Sequence, residues 1–217
     1  APRPPPPPPP PPRYAAGVAD LWNRCGPVDA DPDVADYLCV RGLDPVAVAA
    51  RDLARALPTD GPSPGWARCR GQTWAESGHR LLTPAYDASG ALRAVRATRV
   101  RDGEGPKRLT PGGTSTSGLV LACPAARLLL SGQGSASRIA ITEGETDFLT
   151  ACLAWPDLAV FGIWSGAWTA DLAARIPDGA AVLVATDHDP AGDAYAGQIT
   201  RSLAGRCDVR RFRKATP

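Results

Sequence analysis

The sequence predicts an α/β fold whose last third forms a parallel sheet of about four strands with flanking helices. In that third, short apolar runs alternate with amphipathic segments: "RIAITE", "LAVFGI", "AAVLVATD" and "CDVRRFR" are separated by stretches of helical periodicity. This alternation is typical of parallel strands joined by right-handed crossovers. Upstream, "RLLTPAYDASGALRAVRATRV" contains two extended runs around a turn, which predicts an antiparallel hairpin. The sheet is therefore expected to follow a small α+β subdomain and an N-terminal helical segment.

The chain divides into four predicted segments. They are a proline-rich linker at 1–13, a helical module at 14–60, an α+β subdomain at 61–133 and the parallel-sheet domain at 134–217. Consecutive prolines lack backbone donors and favour a stiff polyproline II spacer, although a ligand for an SH3 or WW domain is the alternative. In the helical module, Asp31 with Pro32 and Asp44 with Pro45 are the start signals of the second and third helices, and the third helix is expected to run to about Leu57.

Composition excludes several classes of protein. The 217 residues are 44% hydrophobic and 21% charged, which is ordinary for a globular protein. No apolar run approaches the roughly 18 residues of a membrane span, so the sequence predicts a cytoplasmic protein with no membrane partner. The six cysteines form no C-x-x-C pair and only two histidines accompany them, which argues against a zinc ribbon. The cysteines are expected to be small buried hydrophobes without disulfides.

Carboxylates cluster where two of the predicted strands end. Glu143 ends "RIAITE" and Asp187 ends "AAVLVATD", while Asp147 and Asp189 lie near the following helix starts. Because the carboxyl ends of parallel strands meet at one edge, we expect these acids to share a crevice. Clustered carboxylates repel one another unless a cation neutralises them, and oxygen ligands favour Mg²⁺ or Mn²⁺. The alternative for Asp147 and Asp189 is that each is only a helix cap.

Basic residues crowd the segment that contains the second hairpin strand and the loop after it. They are Arg93, Arg96, Arg99, Arg101, Lys107 and Arg108. A period of two predicts that Arg93, Arg99 and Arg101 share one face of the strand, opposite an apolar face. Cations beside an acidic metal site are suited to nucleic-acid and nucleotide phosphates, while the alternative is a merely solvated face.

Two motifs resemble the Toprim domain of topoisomerases, primases, recombination mediators and nucleases. They are E-G-x-x-D after one strand, at 143–147, and D-x-D with P-A-G after a later strand, at 187–192. The resemblance implies a Rossmann-like sheet in which Glu143 acts as acid, base or metal ligand, and in which Asp187 and Asp189 coordinate Mg²⁺. Gly144 matches the glycine of the first motif, where it makes a backbone turn. Asp147 matches the acid that ends this motif.

The upstream half narrows the resemblance to primases. The strand pair followed by "GPKRLTPGG" is similar to the segment that precedes Toprim in bacterial and phage primases, with Lys107 at the family's basic position and Arg108 where an aromatic residue is usual. This likeness implies the catalytic core of a plasmid or phage primase, which uses ribonucleoside triphosphates and Mg²⁺ or Mn²⁺ to make RNA primers on single-stranded DNA, with a fused or separate replicative helicase as a partner.

Other Toprim functions stay open at this point. A Toprim nuclease would use the same acids for phosphodiester hydrolysis, but the strand pair ahead of the domain argues against it. A noncatalytic nucleic-acid-binding module would not need Glu143 and Asp187 together. A topoisomerase is disfavoured because its tyrosine normally lies in a large separate domain.

Overall fold

The computed structural model describes residues 13–164 and 166–212, so the predicted linker lies outside it except for Arg13. The α/β class is confirmed. The helices are α1 (Val18–Arg24), α2 (Pro32–Cys39), α3 (Pro45–Ala50), α4 (Pro124–Leu130), α5 (Gly144–Ala154), α6 (Ala170–Ala173) and α7 (Pro190–Leu203), with a 3₁₀ turn at Val28–Ala30. The strands are β1 (Gly26–Pro27), β2 (Arg55–Ala56), β3 (Arg68–Cys69), β4 (Gln72–Thr73), β5 (His79–Tyr86), β6 (Leu92–Arg99), β7 (Arg108–Leu109), β8 (Val120–Ala122), β9 (Arg138–Glu143), β10 (Ala159–Ile163), β11 (Ala181–Ala185) and β12 (Asp208–Arg211).

Four parallel strands lie in the order β10-β9-β11-β12. The connection from β9 runs through α5 to β10 on one side, whereas β11 lies on the other side of β9. The chain therefore changes direction across the sheet between β9 and β11. In open α/β sheets, ligands bind outside the carboxyl ends of the strands at such a switch point. This topology predicts that a ligand site is formed by the residues that follow β9 and β11.

The hairpin of β5 and β6 is joined to the parallel strands by β8, which pairs antiparallel with both β5 and β10. Ten strands of the described chain thus belong to one sheet. The predicted division of β6 into a cationic and an apolar face is wrong, because Val95 and Ala97, which share their parity with Arg93 and Arg99, are fully buried. They pack in a small core with residues of α1, while Ala94 faces the main core. Both sides of β6 are therefore covered.

The N-terminal helices pack onto the same sheet. The third helix ends at Ala50, not near Leu57, because β2 then pairs with both β1 and β5. Val34 of α2 and Ile199 of α7 belong to one continuous core. The division into domains remains a prediction. None of the helices described is long and apolar enough to span a bilayer.

His79 is buried at the start of β5 and predicts a specific pH dependence. Its Nε2 lies 2.9 Å from the Pro106 carbonyl, which can only accept, so Nε2 carries a proton. Burial lowers the pKa of His79. The neutral ring therefore stabilises the fold fully above about pH 6.5, and this stabilisation is lost as the pH falls toward the lower folded pKa, by at most about 1.4 kcal/mol per pH unit.

We expect the urea-unfolding free energy of the wild type to decrease between pH 7 and pH 5. His79→Gln should have a smaller slope over this range. His188→Gln is the matched control, because the only other histidine is exposed. Equal slopes in all three proteins would exclude His79 as the titrating group.

Candidate active site

The first part of the site is a pair of acids at the ends of neighbouring strands. Glu143 is the last residue of β9, and Asp187 follows β11, which pairs with β9 in parallel up to Ala185 opposite Thr142. The Asp187 backbone N–H donates to Glu143 Oε2 at 3.1 Å. The structure thus brings together the two acids that the strand ends predict.

The other two predicted acids lie at the starts of the following helices. Asp189 is the N-cap of α7, with its Oδ1 accepting the Gly192 N–H at 2.7 Å, so the capping alternative describes at least this oxygen. Asp147 lies in the first turn of α5. Burial raises the pKa of Glu143, and the charges of Asp187, Asp189 and Asp147 raise it further. All three aspartates therefore lie close enough to Glu143 to act on its carboxylate.

Beside these acids is a cavity of about 260 Å³. It is lined by Arg96, Arg108, Glu143, Gly144, Glu145, Thr146, Asp147, Trp164 and Asp187. Gly144 has a φ of 79°, which favours glycine at the turn from β9 into α5. The cavity therefore contains carboxylates from the parallel-strand region and guanidinium groups from the hairpin region.

Glu145 connects these two sets of charges, and it is not among the residues that the motifs predict. It is 2% exposed and forms ion pairs with Arg96 and, at 2.5 Å, with Arg108. Arg96 also lies over the Trp164 ring, 4.8 Å from its centroid. A signal was present in the sequence, since Glu145 lies three, four and seven residues before the buried Phe148, Leu149 and Cys152, on the apolar stripe of α5.

A basic surface leads from this cavity. We call Arg41, Lys107 and Arg108 the basic strip. Burial lowers the pKa of Lys107, and the charges of Arg41, Arg108 and Arg99 lower it further, so these cations are close to one another. Arg41 lies over the Tyr37 ring, 3.5 Å from its centroid, and Lys107 approaches the same ring at 5.8 Å. Arg41 is absent from the predicted set because it is distant in sequence.

The remaining predicted cations have protein partners. Arg93 donates to Asp87 at 2.6 Å, and Arg101 pairs with Asp33. Arg99 donates to the backbone carbonyls of Glu104 and Gly105 at 2.6 and 3.1 Å, in the loop that precedes Lys107. The structure therefore joins Arg96, Arg108 and Lys107 to the site region, whereas Arg93 and Arg101 form ion pairs with acids outside the cavity lining.

The position of Asp187 depends on Arg211 and Gly192. Arg211 of β12 donates from Nη2 to the Asp187 carbonyl at 3.0 Å and to Thr186 Oγ1 at 3.3 Å. Thr186 Oγ1 in turn donates to the Gly192 carbonyl at 2.9 Å. A Cβ on Gly192 would overlap the Asp187 carbonyl and would lie 3.0 Å from the Asp187 nitrogen. The glycine of the P-A-G motif thus allows the acidic loop to lie against α7.

Gly192→Ala should therefore displace the Asp187 loop, because backbone atoms have little room to move. Overpacking of this kind costs about 1–3 kcal/mol. Gly197→Ala is the control on the same helix, since its added Cβ would meet only the flexible Arg201 side chain. We expect thermal melting to show destabilisation in Gly192→Ala alone. A melting temperature equal to that of Gly197→Ala would contradict this account of the motif glycine.

Comparison with known proteins gives one consistent result. The Aquifex aeolicus primase, solved with its zinc-binding and RNA polymerase domains, superposes with a TM-score of 0.61 and 14% identity, over 90% of this chain and 53% of that one. The RNA polymerase domain of Mycobacterium tuberculosis primase DnaG superposes with a TM-score of 0.59 and 20% identity, over 93% of this chain and 75% of that one. The fold is that of a primase catalytic core.

The likeness to primase cores is structural. No protein-family model and no curated protein sequence matches the chain. A third neighbour, the DnaG primase catalytic domain bound to single-stranded DNA, has a TM-score of 0.60 at 18% identity and is matched over 68% of its length by 90% of this chain. The chain spans about half of the Aquifex structure. At these identities the likeness establishes the primase-core fold, and the chemistry must be argued from the site itself.

The acids of this primase-like fold do not form a closed metal cage. Among the residues described, no group of three or more His, Cys, Asp or Glu side chains is arranged to hold a metal ion. The carboxylates of Glu143, Asp147 and Asp187 line the cavity, and a divalent cation would relieve the repulsion that adds to the effect of burial on the pKa of Glu143. Mg²⁺ is commonly held by one or two carboxylates together with water and substrate phosphates. The donor set fits a cation held in this open manner.

Proposed function

We propose that the chain is the catalytic core of a primase, which synthesises RNA primers on single-stranded DNA by metal-dependent nucleotidyl transfer. The observation that carries the proposal is the meeting of two charge types at one cavity: Glu143 and Asp187 on one side, and Arg96 and Arg108 on the other. The primase-core fold supports the same conclusion. Carboxylates that attract a divalent cation and arginines that attract phosphate are the groups that nucleotidyl transfer requires.

In the proposed reaction, a 3′ hydroxyl attacks the α-phosphate of a ribonucleoside triphosphate and pyrophosphate leaves. Arg96 and Arg108 bind and orient the triphosphate, since guanidinium groups donate to phosphate oxygens in a bidentate manner. Glu143 acts in its ionised form, as a ligand of the cation, and the proton that the attacking hydroxyl loses passes to water. Asp187 lies beside it, fixed by the hydrogen bond between its N–H and Glu143.

The resident metal in this proposal is Mg²⁺ or Mn²⁺. Glu143 and Asp187 would hold it, with Asp147 and the second carboxylate oxygen of Asp189 as further ligands. When bound, the ion supplies positive charge that stabilises the attacking and leaving oxygens. Glu145 is not assigned to it, because that carboxylate is engaged by Arg96 and Arg108.

The basic strip is proposed as the path of the template strand. Lys107 and Arg108 are exposed, and Arg41 and Tyr37 present a cation stacked on an aromatic ring beside them. Such a surface follows a phosphate backbone without reading its sequence. One of the structural neighbours is a DnaG catalytic domain bound to single-stranded DNA, which supports this proposal. A helicase partner remains a prediction.

Lys107→Ala and Arg41→Ala should each weaken single-stranded DNA binding. Each lost phosphate contact should reduce the slope of log K against log salt by about 0.7. Arg210→Ala is the matched control, because Arg210 is exposed and pairs with Asp208 on β12. Fluorescence anisotropy with a labelled oligonucleotide at several salt concentrations measures the slopes. If the slopes of all four proteins coincide, the strip is only a solvated face.

The decisive experiment combines synthesis and cleavage in one assay. The protein is incubated with single-stranded DNA, labelled ribonucleotides and Mg²⁺ or Mn²⁺, and products are separated by length. New labelled RNA supports the primase proposal. Shortened DNA without new RNA supports the Toprim nuclease instead, and binding without either product supports a noncatalytic module.

A further inference from the structure

Arg211 is the last residue of β12 and lies opposite Val184 of β11 in the parallel register. Although β12 is at the end of the sheet order, the Arg211 side chain is only 25% exposed. Its guanidinium group contacts both the loop after β11 and the first turn of α7. An arginine from the neighbouring strand thus reaches the acidic loop of the candidate site.

The two terminal nitrogens of Arg211 have different partners. Nη1 pairs with the Asp193 carboxylate, whereas Nη2 donates to the Asp187 carbonyl at 3.0 Å and to Thr186 Oγ1 at 3.3 Å. The contact with Asp187 is therefore made to its backbone and not to its carboxylate. A planar guanidinium with several donors can hold two elements together in this way, whereas an ammonium offers a single nitrogen.

The backbone of Asp187 connects Arg211 with Glu143. The Asp187 carbonyl accepts from Arg211, and the N–H of the same residue donates to Glu143 Oε2 at 3.1 Å. Holding the carbonyl limits the rotation of the backbone on both sides of Asp187, and so keeps the N–H directed at Glu143. Arg211 therefore acts on the relative position of the two acids through backbone atoms.

We propose that Arg211 is a positioning residue for the cation of the candidate site, because it holds Asp187 and Glu143 where both can bind one divalent ion. This inference rests on the proposed function, which assigns Mg²⁺ or Mn²⁺ to these two acids. Hydrogen-bonded partners of metal ligands commonly contribute about 10–100-fold to metal affinity. Arg211 makes its contribution through Asp187 and does not itself bind the ion.

Charge and position predict opposite effects of removing Arg211. A cation beside the acids repels a divalent ion, so on charge alone Arg211→Ala should bind Mn²⁺ more tightly than the wild type. If Arg211 positions the acids, Arg211→Ala should instead bind Mn²⁺ about 10–100-fold more weakly. Arg211→Lys keeps the charge but has one nitrogen for acceptors on two elements, so we expect it to weaken binding as well.

The test measures the Mn²⁺ affinity of the whole chain without nucleotide, from the electron paramagnetic resonance signal of free Mn²⁺. Arg210→Ala is the matched control, because Arg210 is the preceding residue of β12 and pairs with Asp208 of its own strand. It should keep the wild-type affinity. Circular dichroism at the same temperature shows whether each variant is folded, and Arg211→Lys decides the question if Arg211→Ala unfolds.

Weaker Mn²⁺ binding by both Arg211 variants, with Arg210→Ala unchanged, is the expected result. Wild-type affinity in Arg211→Lys, or tighter binding by Arg211→Ala, would overturn the positioning role while leaving the metal site itself in place. A wild type that binds no Mn²⁺ would overturn the proposed metal site and the role of Arg211 together.

Discussion

Glu143→Gln and Asp187→Asn should each lower the rate of primer synthesis by about 10²–10³, which is the usual loss when one electrostatic contribution to the transition state is removed. Each substitution keeps size and hydrogen-bonding capacity while deleting a charge. The sheet should therefore survive. The raised pKa of Glu143 means that its ionised form is less favourable in the folded than in the unfolded state. In EDTA, Glu143→Gln should thus melt at or above the wild type.

Asp208→Asn is the control for this pair, because Asp208 is an exposed acid on β12 that pairs with Arg210. It should synthesise primers at the wild-type rate. Extension of a labelled primer under single-turnover conditions measures the rates, and differential scanning calorimetry in EDTA and in Mn²⁺ measures stability. Retained synthesis in both site variants, or unfolding of both without metal, would mean that these acids are structural.

Glu145→Gln should destabilise the protein by about 3 kcal/mol, because it leaves two arginines without their shared carboxylate, and breaking a buried ion pair from one side costs about that much. The Arg96 side chain is 16% exposed and has little water to replace the lost partner. The free energy of urea unfolding measures the effect.

Glu104→Gln is the matched control for Glu145→Gln, since it is the same substitution in an exposed ion pair with Arg70. Exposed pairs contribute at most about 1 kcal/mol. If the two variants lose equal stability, Glu145 is not the structural connection between the hairpin and α5. A loss in Glu145→Gln that vanishes in 1 M salt would contradict its burial.

The strand ends made Glu143 and Asp187 predictable. An apolar run that ends in a carboxylate predicts that the acid lies at the end of a strand. Parallel pairing then predicts that the ends of neighbouring strands, and so their acids, lie at the same edge of the sheet. The same logic extends to Asp189 only partly. A D-P pair fits a helix cap as well as a ligand, and the structure uses one of its oxygens as a cap.

Glu145 and Arg41 were harder to predict for a different reason. Their importance depends on contacts between segments far apart in the chain: Glu145 meets Arg96 and Arg108, and Arg41 neighbours Lys107. The local sequence pattern places Glu145 on the buried stripe of α5, but it does not show that Arg96 and Arg108 pair with its carboxylate. Likewise α3 stops early because residues after it join β5, a tertiary effect that overrides helical periodicity.

The contact between Arg96 and Glu145 has a geometrical consequence for the sheet. Between β6 and β9 lie β5, β8 and β10, so the two outer strands are four steps apart. In a flat sheet, four steps span about 19 Å. That exceeds an arginine and a glutamate side chain laid end to end, even allowing for the position of α5 over β9 and β10. The sheet must therefore be twisted and coiled, so that the hairpin of β5 and β6 approaches the helix that follows β9. The candidate site takes Arg96 from the hairpin and Glu143 from the parallel strands, and both strands belong to one hydrogen-bonded sheet, so no flexible linker separates the two sides of the site.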